Sequence, residues 1–131
     1  MDSIITILAQ KCNLFHLEGV TEQDILHAEK ELGLQFSEEY KEYLAKFGVV
    51  SYDSHELTGI CPFPRLNVVC VTNEERQFNP FVPKRCYVIE QTNVDGIVVW
   101  QASDGRVYQT YPGSKPVQIA ESLSEYILTY S

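Results

Sequence analysis

Three histidines, four cysteines and eighteen carboxylates are the side chains here with chemistry to offer. The densest local combination is Tyr52-Asp53-Ser54-His55-Glu56, in which a histidine stands between two acids. Such a set could pass a proton or help hold an ion, and a small hydrolase built on His55 is the enzymatic reading it permits. A metal site, however, needs several ligands at short spacing, and no second His or Cys lies within reach of His55 in sequence. His27 falls beside the apolar face of a predicted helix, where a hydrogen-bonded, half-buried histidine is expected, and His16 carries no pattern. Cys12, Cys61, Cys70 and Cys86 are scattered, with no C-x-x-C pair, and neither Cys61 before Pro62 nor Cys86 in a strand has the basic setting of an activated thiol. Their apolar surroundings suit small core residues in a reducing compartment. Gly96, Gly105 and Gly113 belong to turns and form no phosphate loop. The expectation is no catalytic residue, no cofactor and no metal.

The elements that must position these groups are written in the caps. "MDSIITILAQKC" reads as a short helix with Ile4, Ile5, Leu8 and Cys12 near helical spacing, and "NLFHLEGV" reads as a connector. Thr21 caps a second helix, with Asp24 completing a capping-box variant. Ile25, Ala28 and Leu32 share one face, and Gly33 suits a left-handed stop followed by the apolar Leu34. Ser37 caps a third helix, in which Tyr40, Tyr43, Leu44 and Phe47 repeat at i, i+3, i+4, i+7, and Gly48 ends it. "GVVSY" and "ELTGI" read as short strands, and "LNVVCVTNEER" as a helix. "RCYVIEQ" and "GIVVWQA" are strands, the latter apolar on both faces and therefore central. Asp104-Gly105 is the dipeptide of a type I′ hairpin. After Pro116, Ile119, Leu123, Ile127 and Tyr130 make a helical stripe. Helices, then an antiparallel sheet, then a helix describe an α+β domain spanning 1–131.

Charge narrows the partners. The chain of 131 residues carries a net charge of −8. Residues 1–60 hold eleven acids against four Lys/Arg, and residues 61–131 hold seven against six. An acidic surface argues against nucleic acid, whose phosphates require cations, and favours a basic partner. No apolar run approaches the roughly 18 residues that span a bilayer, and Met1-Asp2-Ser3 lacks the positive start of a secretory signal. A cytoplasmic protein with no membrane contact, monomeric or weakly dimeric, is expected. Glu22, Asp24, Glu38 and Glu39 sit in first helical turns and complement the dipole. Glu29 and Glu31 sit in a last turn, where negative charge opposes the dipole, so they are better candidates for a partner surface.

In order and spacing, four segments resemble the SUKH superfamily, named in part after a yeast regulator of cell-wall synthesis. They are "TEQDILHAEKELGLQFSEEYKEYLAKFG", "VVCVTNEER", "SDGRVYQ" and "IAESLSEYIL". The resemblance implies an α+β protein of a group whose many bacterial members are immunity proteins. These bind and neutralise toxins, several of them nucleases, while other members act as intracellular interaction modules. It brings no catalytic constellation. The implied function is occlusion of a cognate toxin with a basic surface, the alternative being a regulatory or scaffold module. Glu29, Glu31, Tyr52, Asp53 and Glu56 are the candidate partner-binding residues.

Overall fold

The computed structural model describes residues 3–130. Met1, Asp2 and Ser131, including the head of the predicted first helix, lie outside the described residues. Helix α1 (Ile4–Ala9) is capped by Ser3, whose side chain accepts from the Thr6 N–H, and it buries Ile4, Ile7 and Leu8. It stops short of Cys12, which is exposed. Strand β1 (Phe15–His16) follows, inside the segment expected to be a plain connector.

Helices α2 (Glu22–Leu32) and α3 (Glu38–Phe47) match their written caps. Thr21 and Asp24 exchange both bonds of the capping box, each at 3.1 Å. Gly33 takes φ +69°. Its N–H donates to Lys30 O at 3.3 Å and Leu34 N–H donates to Glu29 O at 3.1 Å, the pair of hydrogen bonds that closes a helix through a left-handed residue. Strands β2 (Val50–Tyr52) and β3 (His55–Leu57) join β1 in a three-stranded antiparallel sheet, order β1-β2-β3. A 3₁₀ turn (Pro64–Leu66) leads into α4 (Val68–Arg76), whose N-terminal amides at Val69 and Cys70 bond Asn67 Oδ1.

The second sheet is a meander of β4 (Cys86–Gln91), β5 (Val98–Ala102), β6 (Val107–Thr110) and β7 (Val117–Ala120). Every residue of β5 is buried, as its two-sided apolar character requires. Two expectations are corrected here. The hairpin at Asp104-Gly105 has a three-residue loop, closed by Gly105 N–H to Ala102 O at 2.8 Å and Ala102 N–H to Arg106 O at 2.9 Å. Only Gly105 is left-handed, at φ +99°, so the turn is not type I′. Residues 117–120 form the edge strand β7, so Ile119 stands on a strand. The closing helix α5 (Leu123–Tyr130) begins after it.

Thr58 joins the two sheets. Its N–H donates to Ile89 O at 2.9 Å, and Ile89 is the residue that a bulge leaves unpaired between Val88 and Glu90. The Thr58 hydroxyl donates to Val88 O at 2.7 Å and accepts from Tyr40 OH at 3.0 Å, while Tyr43 OH donates to Thr58 O at 2.7 Å. Both helical tyrosines therefore end on one residue. Burial pushes both phenols well above their ordinary pKa, so they stay neutral donors. A second buried network ties α3 to β4 and β5. Gln101 Oε1 accepts from Ser37 Oγ at 3.1 Å and Tyr87 OH at 2.8 Å, and its Nε2 donates to Gly105 O at 2.9 Å and Glu39 Oε1 at 3.3 Å. Every polar atom of that amide is satisfied, as burial demands.

Candidate functional site

Alternation along the small sheet separates its two faces. Val50, Tyr52 and Leu57 point into the core, whereas Phe15, Ser51 and Glu56 form a row across three strands on the opposite face, paired Phe15 to Ser51 and Ser51 to Glu56. The segment 59–68 folds back to make a facing wall. It is held by Gly59 N–H to Leu66 O at 2.9 Å, Val68 N–H to Gly59 O at 2.8 Å and Asn67 Nδ2 to Cys61 O at 2.9 Å. Between row and wall lies an open groove of about 420 Å³, whose sides include Leu17, Val49, Pro64 and Leu66. Phe15 and Phe63 stand on its rim, 64% and 55% exposed. Among the described residues its one carboxylate is Glu56, gripped by both terminal nitrogens of Arg65, at 2.8 Å each. That guanidinium holds the Glu56 carboxyl below its ordinary pKa.

The sequence places Glu29 and Tyr52 at a partner surface, and the structure buries both. Glu29 is 8% exposed, and its carboxylate accepts the Phe36 N–H at 2.8 Å, tying down the loop between α2 and α3. Lys41 Nζ stands 3.8 Å from it. Tyr52 is 1% exposed, stacked against His55 with Lys11 Nζ 5.3 Å above its ring. Asp53 is exposed at the tip of the β2–β3 hairpin with φ +50°. Glu31 is also exposed, and its carboxylate lies against the His27 ring one turn away. His27, expected to be half-buried, is thus an exposed residue. Asp53 and Glu56 share a hairpin, but Glu31 lies on α2 among Asp24, His27 and Asn67.

His55 does not work with Asp53 or Glu56. Its Nδ1 lies 2.9 Å from Oε2 of the buried Glu90 on β4, and Glu90 Oε1 accepts from Tyr126 OH at 2.5 Å. The carboxylate thus holds the ring of a strand residue to the C-terminal helix. Among the described residues, no three His, Cys, Asp or Glu side chains gather as a metal site would need.

Phe15, Phe63 and Arg65 escaped the sequence reading. "CPFPRLN" did carry a signal, since a phenylalanine between two prolines cannot sit inside a helix or a central strand. Its aromatic ring then has to be presented from a loop.

The family model described as SMI1-KNR4 cell-wall, SUKH_5, matches residues 1–130. The chain belongs to the SUKH superfamily. That superfamily includes immunity proteins, and its members are generally non-enzymatic immunity or regulatory proteins. Among solved structures, a protein from Pseudomonas syringae pv. tomato is similar to this SUKH domain with a TM-score of 0.70 and 19% identity. The alignment covers 88% of this chain and 85% of that one, a likeness of fold alone. No curated protein sequence matches the chain. Among the described residues, no helix is long and apolar enough to cross a membrane.

Proposed function

We propose that this SUKH chain, as one domain over 1–131, is a cytoplasmic immunity protein. It binds a cognate toxin with a basic surface and neutralises it by covering it, with no chemistry of its own. The observation that carries this reading is the open groove on the small sheet, apolar and flanked by two exposed phenylalanines, in a chain of net charge −8. Aromatic residues beside excess charge of one sign suit a contact in which charge speeds encounter and apolar burial slows release. Asp53 is an exposed acid at the hairpin tip, Glu31 is an exposed acid one turn from His27, and Glu56 serves the groove wall.

The experiment is co-expression with a toxin encoded beside this gene. Growth should be restored, the two proteins should co-purify, and Asp53→Lys with Glu31→Lys should slow association and flatten its salt dependence. Failure of the wild-type chain both to rescue growth and to retain any product of the adjacent locus would refute neutralisation. A regulatory interaction module would then be the reading.

A further inference from the structure

Resting on that reading, we infer that the groove between the Phe15–Ser51–Glu56 row and the Phe63–Leu66 wall receives one uncharged aromatic or branched aliphatic side chain of the toxin. The toxin's cations are met outside the groove. Chemistry inside it decides this. Both Glu56 oxygens already face Arg65 nitrogens at 2.8 Å, so the pair is neutral as a whole and offers an arriving Lys or Arg no uncompensated negative charge. Apart from Ser51, the remaining lining is apolar, with Leu17, Val49, Pro64 and Leu66 at its sides, and it gains from water exclusion whatever the charge of the partner. A volume of about 420 Å³ suits a large side chain with its flanking backbone, within the roughly 300–1,000 Å³ of sites that bury small ligands. The wall is pinned at Gly59, Leu66, Asn67 and Val68 by backbone bonds, so little ordering entropy opposes filling it. A second copy of this chain is disfavoured as the occupant, because a partner carrying the same −8 is repelled. Charge complementarity points to a basic protein.

Two arms test this. First, the isolated chain is titrated by NMR with N-acetyl-tryptophan amide and, separately, with N-acetyl-lysine amide. Millimolar tryptophan amide should move the amides of Phe15, Ser51, Phe63 and Leu66, lysine amide should not, and Phe15→Ser with Phe63→Ser should abolish the response. Equal response to both probes, response only at the other exposed aromatics Phe78, Phe81, Tyr111 and Tyr130, or shifts that grow with protein concentration alone would overturn the proposal. The last result would make a second copy the occupant. Second, with the adjacent-locus toxin bound, the same double variant should raise the dissociation rate about 10–100-fold, the loss typical of central apolar anchors. Its association rate should stay within about twofold, since no charge changes. An unchanged dissociation rate would overturn the groove while leaving neutralisation standing. Failure of the wild type to rescue growth would strike the functional reading instead, and the first arm would still judge the groove.

Discussion

Glu38 and Glu39 are neighbours in the first turn of α3, and dipole reasoning treats them alike. Their surroundings do not. The Glu38 side chain is 89% exposed, with Lys41 Nζ 3.5 Å away. Glu39 reaches across to α5, where its carboxylate accepts the Leu123 N–H at 2.6 Å, the Ser124 N–H at 3.0 Å and the Ser124 hydroxyl at 2.5 Å. It supplements the cap of a helix 84 residues further along the chain, taking the first two amides while Ser122 Oγ accepts the Glu125 N–H at 3.0 Å. A cap contributes about 0.5–2 kcal/mol, and hydrogen bonds to a charged group about 1.5–3 kcal/mol each, though not additively. Gln101 Nε2 also donates to Glu39, at 3.3 Å, so truncation takes one of its two partners as well and adds a smaller loss to that of the cap. Glu39→Ala should therefore cost about 2–4 kcal/mol, and Glu38→Ala should stay within about 0.5 kcal/mol. At roughly 4 °C per kcal/mol for a chain of this size, the Tm difference between the two variants is about 6–16 °C. Thermal unfolding followed by circular dichroism reads it. Hydrogen exchange adds a local check, because the Leu123 and Ser124 amides should lose protection only in Glu39→Ala. Equal Tm shifts, or unaltered exchange at those two amides, would refute the capping role.

Two further outcomes follow from close contacts and burial. A Cβ at Gly59 would lie 1.6 Å from Gly48 O, so Gly59→Ala should prevent folding or cost more than about 3 kcal/mol, whereas Gly33→Ala meets open space and should cost only the roughly 1–2 kcal/mol of a left-handed alanine; urea titration of both decides. With iodoacetamide at pH 8 and mass-spectrometric readout, the exposed Cys12 and Cys70 should react first and the half-buried Cys61 more slowly. Cys86, whose thiol burial pushes up to about 11, should react only on unfolding. Because that pKa is raised in the folded state, the stabilisation is present below the ordinary thiol value of 9.0 and is lost as pH rises through about 11. Early labelling of Cys86 would contradict the packing described.

The parts of this fold legible in the sequence are the parts held by near neighbours. Thr21 and Asp24 meet three residues apart, Gly33 closes its helix on Glu29 and Lys30, and Ser37 accepts from Tyr40. Each is a contact within one or two turns, and periodicity reports it directly. Some placements that failed were also within reach. In "VSY" strict alternation puts Tyr52 on the side of Val50, and in α2 Glu29 lies one turn beyond Ile25, beside Ala28 on the buried stripe. Long-range placements had no local signal. The β7 strand hid because Ile119 falls in phase with the stripe of α5. The target of Glu39 lies at the far end of the chain, and His55 is claimed by Glu90 on the other sheet. The groove needs β1 paired to β2 and the 59–68 segment folded back, two conditions that no window of sequence contains.

The internal work of the carboxylates changes how the charge of this chain can serve binding. Asp24 closes a capping box, Glu29 a loop and Glu39 a distant helix, while Glu56 faces Arg65 and Glu31 faces His27. A partner's cation that sought any one of these would compete with an existing bond, and exposed pairs formed anew contribute only about 0–1 kcal/mol. What remains unneutralised is the sum: −7 over residues 1–60, a field that reaches about 8–10 Å into physiological salt. Such a field accelerates encounter without needing a particular contact. The affinity then has to come from a surface where burial, not charge, is at stake. The groove between Phe15 and Phe63 has that character, because among the described residues its one carboxylate is already matched by its one guanidinium.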